Sequence, residues 1–133
     1  MTRAIEDKAR AYLLTEFSHP TCTFRDKAAG DQGFDLWFDE QGEPPRKIEL
    51  KATDSSYQRP SDLFERLVFN AEIEKELFES GESIIARVFM GSAPPKVFII
   101  TNAIFSDGAQ LTAEARYVVR GRVNYEDSIT ELA

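Results

Sequence analysis

Asp35, Glu49 and Lys51 are the residues of this chain with the most chemistry to offer. Asp35 lies in Phe34-Asp35-Leu36-Trp37-Phe38, an aromatic run that favours an extended backbone. Glu49 and Lys51 lie in Lys47-Ile48-Glu49-Leu50-Lys51-Ala52, where polar and apolar residues alternate with the period of a strand. Between the two runs, Asp39 to Arg46 contains Gly42 and two prolines, residues that end strands and make turns. A turn centred on Gly42 puts Asp35 opposite Glu49, because the two are equally far from it. Opposed residues share a face, with side chains roughly 5 Å apart, and Lys51 shares that face by period two. Carboxylates so placed repel unless a cation stands between them. Hard oxygen ligands with positions left for water and phosphate suit Mg²⁺ or Mn²⁺.

The plainer reading is that Glu49 and Lys51 form the solvated face of an amphipathic strand. The chain holds two acid-x-Lys triplets, Glu6-Asp7-Lys8 and Glu49-Leu50-Lys51, which is about what chance supplies at this composition. Register, not the triplet, distinguishes the second: it sits on a strand whose hairpin partner brings Asp35.

The elements that would position these groups follow from periodicity. Ile5, Ala9, Tyr12, Leu13 and Phe17 mark a helix over about 3–17. Glu6 projects onto its apolar arc, where a carboxylate needs a partner or a role; Arg10, four residues on, is one available partner. Glu16 falls near the same arc and competes with Glu6. Ser18-His19-Pro20 stops the helix, and His19 there suits a turn rather than a ligand set. Thr21 to Arg25 reads as a short strand, and 26–33 as a polar loop leading into Asp35. Leu63, Phe64, Leu67, Val68, Ala71, Leu77 and Phe78 predict a second helix from Ser61 to Gly81, with Glu72, Glu74, Glu76 and Glu79 on a solvated face. Ser83 to Met90 and Lys96 to Thr101 are apolar strands. A last extended stretch, 115–123, sets Arg116, Arg120 and Arg122 on one side, either for a phosphate backbone or as the hydrated face of an edge strand. The acidic tail 124–133 reads as peripheral.

Composition frames this. A chain of 133 residues with 42% hydrophobic residues is expected to be one α/β domain, a mixed sheet covered by helices. No apolar run has the length of a membrane span, and the first residues lack a signal-peptide core, so a cytoplasmic protein is expected. The single Cys22 has no internal partner for a disulfide. A net charge of −7 argues against a broad, non-specific nucleic-acid surface. Local basic groups and bound cations can still set the field where one phosphate docks.

The order helix, three-strand meander, helix, strand, with Asp35 and Glu49-Leu50-Lys51 on its second and third strands, resembles the core of the PD-(D/E)XK nuclease superfamily. Within it, G-F-D-L, I-E-L-K-A, N-A-E-I-E-K-E-L and F-I-I-T-N, across about residues 5–102, are similar to the domain near the C-terminus of NO VEIN-type proteins. Phe34 stands where a proline often precedes the first acid. The resemblance implies a restriction-endonuclease-like core with a helix on each side of the sheet. It also implies metal-dependent hydrolysis of phosphodiester bonds in nucleic acid, DNA rather than RNA, by a homodimer or the cutting subunit of a larger complex. Asp35 and Glu49 would hold Mg²⁺ or Mn²⁺, with the Leu50 carbonyl as a further ligand. Lys51 would orient the attacking water or balance charge developing on the phosphate, and Glu6 would complete the site. The alternative is a catalytically silent module of the same fold that binds nucleic acid or protein. A structural subunit in which Asp35 and Glu49 pair with Lys51 at the surface is the third reading.

Overall fold

A computed structural model describes residues 2–114, 116–121, 125 and 128–133. Helix α1 (Thr2–Thr15) leads into strands β1 (Cys22–Asp26), β2 (Leu36–Glu40) and β3 (Arg46–Thr53). A 3-10 turn (Pro60–Phe64), the short β4 (Val68–Phe69) and helix α2 (Glu72–Ser80) connect β3 to β5 (Ser83–Phe89) and β6 (Lys96–Ile100). A second 3-10 turn (Asn102–Phe105), β7 (Gln110–Ala113), β8 (Tyr117–Arg120) and β9 (Ile129–Glu131) complete the described elements.

The main sheet runs β1-β2-β3-β5-β6-β9 and is mixed. Its β3 and β5 are parallel, whereas the neighbouring pairs on either side are antiparallel. Parallel neighbours need a long crossover, and the segment through α2 supplies it. Strand β5 is buried along its whole length, which explains its largely apolar sequence, with Arg87 as its buried charged residue. Ile84, Ala86 and Val88 face Ala9 and Leu13 of α1, together with Leu36, Ile48 and Leu50. Ile85 and Phe89 face the other way, into a cluster with Phe78 of α2, Leu67, Phe69 and Phe98. One helix therefore covers each face.

Two expectations need correction. The helix anticipated over 61–81 is broken: its apolar residues enter the second cluster from a 3-10 turn and a strand, and only the last part is helical. Arg66 adopts a left-handed backbone, φ 54°, which a helix does not allow. Beyond it Val68 and Phe69 pair with Val118 and Tyr117, using the β preference of those residues. The C-terminal stop is where the sequence puts it, at Gly81 with φ 85°. The tail, in turn, is not peripheral. Its β9 pairs with the outer edge of β6, giving that strand's backbone groups the partners they require, and Ser128 is buried with its Oγ 2.9 Å from Asp107 Oδ2.

Within the expected stretch 115–123, β8 belongs to a second sheet, β4-β8-β7. Arg120 pairs there with Glu114 at 3.0 Å, and Arg116 is exposed. Arg122 lies outside the described residues.

Gly91 fixes the loop that follows β3. A Cβ at this position would lie 2.4 Å from the Asp54 carbonyl oxygen and 2.5 Å from the Ser55 carbonyl carbon. Those are backbone atoms, and they are held in place by the Gly91 N–H donating to the Ser55 carbonyl at 3.0 Å. Gly91→Ala is expected to destabilise the protein by about 2–3 kcal/mol, the scale of overpacking; denaturant melts at constant m-value measure it.

Candidate functional site

The hairpin register centres on Gly42. Phe38 pairs with Arg46, Trp37 with Lys47 and Leu36 with Ile48, and there the ladder ends; Asp35, one residue before β2, bonds to the two neighbours of Glu49, Ile48 and Leu50. Strand β2 begins at Leu36, whereas β3 continues to Thr53. The edge of β3 beyond Ile48 is therefore free of β2. Asp35 fills the start of that opening: its N–H donates to the Ile48 carbonyl at 2.7 Å, and its Oδ2 accepts the Leu50 N–H at 2.7 Å. A carboxylate here replaces the strand carbonyl that would otherwise satisfy Leu50. Arg10 of α1 donates to the Asp35 carbonyl at 2.7 Å and pairs with the Asp26 carboxylate. Lys27 donates to the neighbouring Phe34 carbonyl at 2.8 Å.

Glu49 and Lys51 are not a solvated face. They are 4% and 7% exposed, covered from the side of α2 and β4. Lys51 Nζ lies 3.2 Å from Glu49 Oε2 and 3.7 Å from Glu74 Oε1, and 5.6 Å from the centre of the Phe69 ring. Burial pushes the Glu49 carboxyl up to about 8; the Lys51 ammonium opposes this, and the Asp35 and Glu74 carboxylates add to it. Glu6 is raised for the same reasons: burial first, with Lys51 opposing and Asp35 and Glu74 adding. The start of α1 thus comes near the opening beside β3, where Glu6 shares the field of Lys51, Asp35 and Glu74.

Of the four residues singled out from the sequence, Glu49 and Lys51 are in contact, Asp35 bonds the Leu50 N–H between them, and Glu6 is near enough to be influenced by Lys51 and Asp35. The proposed Glu6–Arg10 pairing does not describe this region, because Arg10 is spent on Asp35 and Asp26. Glu16 is exposed beyond the other end of α1. Sequence reasoning missed Glu74, which it assigned to the solvated face of α2 with Glu72. Glu72 is exposed, whereas Glu74 also accepts the Asn70 N–H at 3.2 Å. The missed signal was position: Glu74 stands in the first turn of the helix that crosses back over β3.

The chain was compared with models of protein families, with curated proteins and with solved structures. None matches. No helix among the described residues is long and apolar enough to cross a membrane.

What the site can do follows from its charge. Glu49 and Glu74 flank the Lys51 ammonium, Asp35 and Glu6 add to the acidic field, and burial favours the protonated form of Glu49. Among the described residues, no three acidic, histidine or cysteine side chains form a ready-made metal cage. The donor set still suits a hard divalent cation, since Mg²⁺ keeps several waters and needs only one or two carboxylates. A cation there would favour the ionised form of Glu49 that burial disfavours.

Asp35 has two separable roles, structural and electrostatic. Asp35→Asn keeps an oxygen for the Leu50 N–H and is expected to change stability by less than ~1 kcal/mol, whereas Asp35→Ala leaves that donor unpaired and costs about 1–3 kcal/mol. Thermal melts of the two variants in EDTA make the comparison.

Proposed function

We propose that this chain is a divalent-metal-dependent nuclease that hydrolyses phosphodiester bonds, built on the restriction-endonuclease-like core its motifs resemble. The observation that supports the reading is the buried Glu49–Lys51 pair on β3 with the Asp35 carboxylate bonded to the Leu50 N–H between them. In this reading Asp35 and Glu49 hold Mg²⁺ or Mn²⁺. The metal, when bound, makes water more acidic and neutralises phosphate charge. Lys51 donates to the attacking water or to a phosphate oxygen as charge develops there; a compact, mobile ammonium suits both tasks. Glu6, whose carboxyl burial raises, serves in this reading as the group that takes the water's proton. Arg10 is a positioning residue, gripping the main chain of Asp35.

One observation favours the silent module instead. Lys51 is already engaged by both Glu49 and Glu74, so the cluster partly neutralises itself. Incubation of the purified chain with circular single-stranded and supercoiled DNA, in Mn²⁺ and in EDTA, separates the two. The nuclease reading expects cleavage in Mn²⁺ that Glu49→Gln abolishes. Intact DNA throughout, or cleavage that survives the substitution, overturns it.

A further inference from the structure

Beside the acids, not among them, lies a cleft of about 410 Å³ whose lining includes Ile5, Ala52, Ser55, Glu65, Arg66 and Arg87. Its lining neighbours the site along the chain. Ile5 precedes Glu6, Ala52 follows Lys51, and Arg87 is the register partner of Lys51 across the parallel pair. We infer that this cleft receives one unpaired nucleotide of the strand whose phosphate lies at Lys51, an inference that takes its ligand class from the nuclease reading.

Three observations carry it. First, the volume sits at the low end for small-molecule pockets, roughly 300–1,000 Å³, which admits a single nucleotide and not a base pair with its two backbones. Second, the walls mix donors with acceptors. Arg66 and Arg87 offer N–H groups, Glu65, Asp54 and Asp62 offer carboxylates, and Ile5 and Ala52 offer apolar surface. A bare anion would meet those acids, whereas a nucleotide matches all three kinds of wall with its phosphate, base edge and ring face. Third, Arg87 is buried to 4% exposure and its Nε–H has no hydrogen-bond partner. The rest of the guanidinium donates to the Lys51 carbonyl at 3.4 Å and the Glu65 carbonyl at 2.5 Å. A buried donor without an acceptor is uncommon in folded proteins, and here it belongs to a cleft-lining side chain. The same guanidinium holds the main chain of Lys51, so a ligand that engages it is placed in register with the ammonium.

The test is an NMR titration of the full chain in EDTA, with a nucleoside 5′-monophosphate in one arm and inorganic phosphate in the other. The nucleotide is expected to shift the amides of 53–58 and the Arg87 Nε–H resonance, and to bind more tightly than phosphate. Arg87→Lys is expected to weaken it about tenfold, the loss of a charge-assisted hydrogen bond. Ser55→Trp, an exposed rim position, should block binding while leaving the melting temperature in place, so a folding defect in Arg87→Lys does not decide the question. Equal binding of phosphate and nucleotide, shifts away from the cleft, or undiminished affinity in Ser55→Trp overturns the inference. Because the titration needs no metal, it is independent of the cleavage assay: nucleotide binding together with intact DNA in Mn²⁺ sinks the nuclease reading and leaves the cleft standing. Cleavage with no nucleotide in the cleft does the reverse.

Discussion

Replacing Glu49 with glutamine is expected to stabilise the metal-free protein while silencing it. The folded-state value of about 8 lies above the ordinary 4.5. Between those two pH values the folded chain keeps a proton that the unfolded chain has released, so stability falls as pH rises through that window and levels off above it. Glutamine keeps the shape and removes the penalty. Its advantage should be near zero at pH 4 and reach roughly 3 kcal/mol by pH 9, below the ~5 kcal/mol ceiling set by the full separation. Lys51 retains Glu74 as a partner at 3.7 Å, so the substitution does not strand its charge. Thermal melts at pH 4, 7 and 9 in EDTA read the effect as a gap that opens with pH. A variant less stable than the native chain by the same margin at all three values would mean that Glu49 is ionised in a net-stabilising pair with Lys51.

Lys51→Met is expected to cut DNA cleavage by about 10²–10³-fold, the scale for losing one preorganised group that meets developing charge. It should also make the protein more sensitive to alkali. Lys51 is the largest influence holding the Glu49 value down, so its removal drives that carboxyl further up and deepens the loss of stability on going from pH 5 to pH 9. At pH 5, where Glu49 is protonated in either protein, methionine in a buried site of similar volume should leave the melting temperature nearly unchanged. A uniform loss at both pH values would assign Lys51 a packing role alone.

How far the chain could be read in advance differs from element to element. The register of the hairpin, which brings Asp35 to the β3 edge at Leu50, was legible because period-two alternation and one turn glycine fix it. The burial of Glu49 and Lys51 was not. An alternating Glu and Lys look the same on a solvated strand face as on a covered one, and what covers them, Phe69 and α2, comes from a crossover many residues away. The spacing from Leu63 to Phe78 fits a helix, yet the segment satisfies the same apolar positions with a turn, a left-handed Arg66 and a strand paired to β8. Strand β9 was hidden by its acidic composition, because its pairing with β6 is made by backbone groups that carry no sequence signal. Glu74 was read by its neighbours on α2, whereas its place in the first helical turn was the informative feature. Arg87 passed as one polar residue in an apolar strand, although a fully buried β5 leaves an arginine only another buried site.

Calorimetric titration of Mn²⁺ into the native chain, Asp35→Asn and Glu49→Gln at pH 7, repeated in buffers of different ionisation enthalpy, measures the site itself. The native protein should bind one cation and release protons as it does so, because Glu49 must ionise to serve as a ligand. Each substitution should weaken binding at least about tenfold, and Glu49→Gln should also abolish the proton release. Equal affinity in all three proteins, or binding with no proton released, would mean that Asp35 and Glu49 do not share a cation.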